Sequence, residues 1–109
     1  TEERFYYEAN RIFLLTGLLC GNTKAEKLFS GITLSEFTAS FIEQYNELEK
    51  HAYHFCNDYS AIRYGSHPVT EENCTFALQY KSELMMLLKR EKGGHALILY
   101  RIRELLRPV

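Results

Sequence analysis

Apolar positions along this chain recur at alternating spacings of three and four, the period of a helix with one buried stripe. The longest such pattern covers residues 44–65, where Tyr45, Leu48, Ala52, Phe55, Tyr59 and Ile62 share a stripe. It predicts one long helix, a rod against which the other elements pack. Gly65 offers a left-handed position after its last turn, and Pro68 follows where a helix no longer continues. Upstream, Phe5, Ala9, Ile12, Thr16 and Leu19 define a first helix over residues 2–19, with Tyr6 and Phe13 beside the stripe and Gly21 as its stop. Thr23 and Glu26 have the spacing of a capping box for a short turn through Phe29, which Ser30 and Gly31 break.

The run Thr33-Leu34-Ser35-Glu36 is a second capping-box pattern, with Ile32 placed to staple onto Phe37. The helix it opens turns Leu34, Phe37 and Phe41 inward and reaches about Ile42, then either continues into the rod or bends towards it. Thr70, followed by Glu71 and Glu72, is the N-cap of a long fourth helix, because acidic side chains suit the positive end of the helix dipole. Cys74, Ala77, Lys81, Leu84 and Leu88 form its stripe, and Leu78 and Met85 widen it. Lys89, Arg90 and Lys92 complement its carboxyl end before Gly93-Gly94 stops it. A last helix over residues 95–106 turns Leu99, Ile102 and Leu106 to the core with Ile98 and Leu105 adjoining, and Pro108 closes the chain. No segment alternates polar and apolar positions between turn residues, and Ala96 to Tyr100 is the one run ambiguous between helix and strand. The fold class is all-α, a compact bundle of four to five helices joined by short connections.

Composition narrows the class. A hydrophobic fraction of 46% excludes a disordered chain, since there is ample apolar surface to offset the entropy of folding. At 109 residues the chain fits a single domain that needs neither disulfide nor metal staples. Thirteen basic residues against fourteen acidic ones provide no general attraction for nucleic acid. Cys20, Cys56 and Cys74 are widely spaced inside helical patterns, which reads as reduced, buried thiols. No apolar run reaches the ~20 residues that span a bilayer, and no signal-peptide pattern opens the chain. The chain starts at Thr1, as expected for a fragment of a longer protein.

The segment GITLSEFTASF, the helix ending in YSAIRYG and the following PVTEEN together resemble a small helical domain of unknown function. That domain lies at the carboxyl end of membrane-anchored bacterial transglutaminase-like proteins. Thr33, Glu36, Phe37, Tyr59, Arg63, Tyr64, Gly65 and Thr70 carry the resemblance, which covers residues 31–88. It implies a transglutaminase-like domain upstream, a membrane segment, and this domain as a cytoplasmic tail. The catalytic machinery of such a parent would lie outside these residues, so no catalytic residue is assigned here. The resemblance implies a protein partner or another domain of the parent, and membrane contact only through the parent chain.

Four residue sets remain as candidate sites. Glu47, His51, His54 and Asp58 fall within roughly a 60° arc on one flank of the rod, a donor set suited to a divalent transition metal. A solvated polar flank is the expected reading, and Cys56 points nearly opposite His54. Arg63 and His67 resemble the Arg–His motif of the helical HEPN ribonucleases, yet only Tyr64, Gly65 and Ser66 separate them, which is too few. A structural Arg63, bonded to carboxylates or to helix-end carbonyls, is expected instead. Tyr53 and Tyr64 project from the back of the rod, where they pack on a further helix or form a partner surface; packing is expected. In the tail, Lys89, Arg90, Lys92, Arg101, Arg103 and Arg107 outnumber Glu91 and Glu104, as helix-end chemistry or as a basic face for an anionic leaflet. Lys81, on a core stripe, and Met86, off it, are assigned no site. No phosphate loop, serine elbow or paired-cysteine motif occurs, and no cofactor is expected. The favoured function is a noncatalytic helical interaction or regulatory module, homo-oligomeric or not. The alternative is a ribonuclease-like or metal-binding helical protein.

Overall fold

The computed structural model describes residues 1–21 and 33–106. Among the described residues five α-helices follow one another: α1 (Glu2–Cys20), α2 (Leu34–Gln44), α3 (Glu49–Tyr64), α4 (Glu71–Lys92) and α5 (Gly94–Leu106), with a 3-10 turn, Asn46–Leu48, ahead of α3. The described residues contain no strand, and the ambiguous run at residues 96–100 is helical. The predicted turn from Thr23 to Phe29, its Ser30-Gly31 break and the Ile32 staple lie outside the described residues, as do Arg107 and Pro108.

Local chemistry sets most helix ends. Thr33 caps α2 by accepting the Glu36 amide at 3.1 Å, and its hydroxyl donates to the Glu36 carboxylate at 3.2 Å. Thr70 accepts the Asn73 amide at 3.1 Å while the Asn73 side chain accepts the Thr70 amide at 2.9 Å, a full capping box. Gly21 and Gly93 end α1 and α4 at φ of 93° and 90°, a region costly for any side chain.

The predicted rod over residues 44–65 is not one helix. The chain leaves helical geometry at Tyr45, at φ −134° and ψ 66°, passes through the 3-10 turn and only then enters α3. Tyr45 bends there because its hydroxyl donates to the Leu19 carbonyl at 3.0 Å, filling an acceptor that the end of α1 leaves open. Gly65 also departs from its expected role. Its φ is −104°, and the left-handed residue is Ser66 at φ 57°. The reason for a glycine is proximity, since a Cβ on Gly65 would sit 2.8 Å from the Ala61 oxygen. That oxygen accepts both the Gly65 and the His67 amides at 3.0 Å, so the backbone closes tightly over it.

Nor is the rod the centre of the bundle. The most completely sealed large side chains are Tyr80, Tyr100, Phe5, Phe41, Ile12 and Leu15, from α4, α5, α1 and α2, with none from α3. α1 and α4 form the central pair. α3 leans on them through aromatic rings: Phe55 and Tyr59 meet Phe5 and Phe13 at centroid distances of 5.1 to 6.3 Å. Its stripe is oriented as predicted, with Ala52, Phe55 and Ile62 buried and Tyr45, Leu48 and Tyr59 partly so. The α1 stripe is likewise buried at Phe5, Ala9, Ile12, Thr16 and Leu19. On α2, Phe37 and Phe41 are buried and Leu34 is half-buried.

α5 inverts its prediction. Ile98, Leu99, Ile102, Leu105 and Leu106, expected in the core, are all exposed. The helix rests on the bundle through Tyr100, which is fully buried, and through Ala96 and Leu97. Leu78 of α4, expected to widen the stripe, is exposed too, whereas Tyr80 and Leu87 are buried. Neither departure could be read from a helical wheel, which ranks the faces of a helix without knowing which neighbours exist.

Candidate functional site

The flank of α3 that reads as solvated is largely so, with Glu47 and His54 exposed and His51 and Asp58 half-buried, and it lies beside α4. The four residues of the metal set lie on its side but take partners there or locally instead of converging. Glu47, in the 3-10 turn, is gripped by Arg90 of α4, with Nη1 donating to Oε2 at 3.0 Å and Nη2 to Oε1. This bidentate clasp holds the Glu47 carboxyl below the usual carboxylate range, chiefly through the Arg90 hydrogen bond, and raises the arginine further. His51 Nε2 lies 3.6 Å from Glu83 Oε2, and His54 Nε2 lies 3.4 Å from Asp58 one turn on. Both imidazoles stack on Phe76, at centroid distances of 5.9 and 3.7 Å, and Tyr80 extends the aromatic row. Among the described residues no three His, Cys, Asp or Glu side chains are grouped to hold a metal ion.

An open groove of about 280 Å³ runs beside this row, lined by Glu47, Leu48, Glu83, Met86, Leu87 and Arg90. A second pocket, of about 20 Å³, lies among α1, α2 and α3 and is lined largely by rings and aliphatic groups. The first lies at the lower edge of the several hundred Å³ that usually enclose a small molecule but is open, and the second has room for about one water. Met86, assigned no site from sequence, therefore lines a groove wall.

The Arg63–His67 pair is not assembled. Both residues are exposed at the end of α3 and in the loop beyond. His67 Nδ1 lies 3.2 Å from the Pro68 carbonyl, within donating distance of that acceptor, and Arg63 makes no hydrogen bond or ion pair among the described residues. The expected structural bonding of Arg63 is thereby corrected. Arg63 is exposed at the end of α3, where its guanidinium is left to solvent. Tyr53 and Tyr64 are exposed as well, at 48% and 76%, so no described helix packs over the back of α3 as expected. Of the residues carrying the family resemblance, Thr33 and Thr70 are caps, Phe37 is buried and Tyr59 packs on Phe5, Tyr6 and Phe13. Glu36 completes the Thr33 cap.

Two features were not found as sites from sequence. The first is a buried charged layer joining α1, α4 and α5. Lys81 Nζ donates to Glu8 Oε1 at 2.7 Å, with both side chains largely covered. Arg11, almost fully buried, lies 3.5 Å from Glu104 through Nε and 4.0 Å above the Tyr7 ring, whose hydroxyl also meets Glu104 at 3.4 Å. Tyr100 is sealed beside them, and burial, followed by the Glu104 charge, pushes its hydroxyl pKa well up. Lys81 on an apolar stripe is the sequence signal for this layer. The second feature is the outward face of α5, which the sequence assigns to the core.

The three thiols form no disulfide; Cys56 and Cys74 are buried and Cys20 is half-buried. Among the described residues no helix is long and apolar enough to cross a membrane. No protein-family model, curated protein or solved structure matches the chain.

Proposed function

We propose that this chain is a noncatalytic helical interaction module, the cytoplasmic carboxyl-terminal domain of a membrane-anchored transglutaminase-like parent. One observation carries the interaction reading. α5 turns five aliphatic side chains to solvent, from 47% exposed at Ile102 to 85% at Leu105, while it docks through the opposite face. Single exposed apolar groups are common on any protein, but a contiguous helical row of them marks a surface that is covered in use. The placement in a parent rests on the sequence resemblance over residues 31–88.

Hydrogen exchange tests the interaction reading. The amides of α5 from Ile98 to Leu106 should exchange more slowly in the intact parent than in the isolated 109-residue chain. Equal rates in the two would overturn it. The reading frame upstream of Thr1 tests the placement, since it should encode a membrane span; a complete gene lacking one would remove that part.

A further inference from the structure

We infer that the exposed face of α5 docks on an anionic bilayer surface, a step that rests on the interaction reading and names its occupant. The five aliphatic residues occupy an arc of roughly 120° on the helix, and Arg101 and Arg103 stand at its two edges. The arrangement is that of an interfacial helix: apolar groups enter the acyl boundary while arginines on both sides reach the headgroups. Arg101, Arg103, Lys89 and Lys92 are exposed, and none has a carboxylate partner among the described residues. The two acids of this region are engaged elsewhere, Glu91 by Arg90 and Glu104 by Arg11. Since the whole chain carries a charge of −1, this basic end sits on a molecule otherwise in acidic excess. Near a negative leaflet that asymmetry orients α5 inward and the rest of the domain away.

Composition and charge favour a bilayer over a protein. The five aliphatic side chains form one exposed ridge along α5. A partner helix would meet one ridge along one line, whereas fluid hydrocarbon closes around it. The ridge holds isoleucine and leucine only, without the tyrosine, tryptophan or central arginine that anchor most protein interfaces. A second copy is disfavoured by charge, because ridge-to-ridge packing brings arginine edges together with no uncommitted acid on α5 to answer them.

Flotation of the 109-residue chain with vesicles tests this, using phosphatidylcholine alone and phosphatidylcholine enriched in phosphatidylserine. The chain should float with the anionic vesicles, weakly with the neutral ones, and added salt should release it. Leu105→Gln with Leu106→Gln should weaken binding by ~10-fold or more, the loss expected when two buried aliphatic groups become polar. Arg101→Gln with Arg103→Gln should weaken it on the order of tenfold for anionic vesicles only. A chain that stays unbound on anionic vesicles, or binding that ignores the leucine pair, overturns the proposal. So does a reversible dimer in sedimentation that the leucine pair dissolves while vesicles leave it untouched. If vesicles fail but α5 remains protected in the intact parent, the occupant is a protein and the interaction reading stands. If both fail, both readings fall.

Discussion

At the turn closing α3, two adjacent residues exchange the roles that their types suggest. Ser66 takes the left-handed backbone at φ 57°, while Gly65 keeps a negative φ and is needed because a Cβ would press on the Ala61 oxygen. Opposite outcomes follow for two small substitutions. Gly65→Ala should destabilise the fold by about 1–2 kcal/mol, because the backbone has to open away from a carbonyl that accepts two amides. Ser66→Gly should stabilise it by up to ~1 kcal/mol, relieving a left-handed serine at some cost in unfolded-chain entropy. Urea denaturation of the two variants reads the difference directly. If Gly65→Ala were the stabilising change, the close approach to Ala61 would not govern this turn.

At the scale of elements, the helix ends were legible because they rest on contacts a few residues apart. Thr33 with Glu36, Thr70 before its acids, and the stops at Gly21 and Gly93 all appear where their local chemistry places them. The break at Tyr45 was not legible, since what holds it is a bond to Leu19, far upstream in sequence. Nor was the clasp between Glu47 and Arg90, which ties an exposed flank to α4. Periodicity showed which face of each helix is apolar, which sufficed for α1 and α3 and misled for α5. Tyr45 offers a test of the long-range part. Tyr45→Phe keeps the ring, which packs 5.5 Å from that of Phe41, and removes the donor to the Leu19 carbonyl. The loss should be about 1 kcal/mol, the usual net worth of one such bond. Helix content should be unchanged, and exchange of the last amides of α1 should quicken. An unaltered melting curve would mean that water replaces the hydroxyl freely.

For the whole molecule, α1 and α4 are the central pair and α5 is attached to them by a face that mixes packing with charge. Tyr100 enters fully, and the layer of Glu8, Lys81, Arg11 and Glu104 lies next to it. Buried ions lose hydration, so such a layer adds little net stability, and of its two ion pairs only Arg11–Glu104 reaches α5. The outward ridge plays no part in that attachment, which makes two substitution sets on one helix separable. Tyr100→Ala should cost about 3–5 kcal/mol, the range for emptying a large ring from a sealed core. Leu105→Gln and Leu106→Gln should each stay within about 0.5 kcal/mol, as exposed positions do. Chemical denaturation followed by circular dichroism distinguishes this from the arrangement read from sequence, in which the leucines are core. There the leucine substitutions would cost ~2–5 kcal/mol each and Tyr100 would tolerate change. Because α5 stays seated when its leucines change, the ridge can be altered without unfolding the domain. Any function lost in those variants then belongs to the surface and not to the fold.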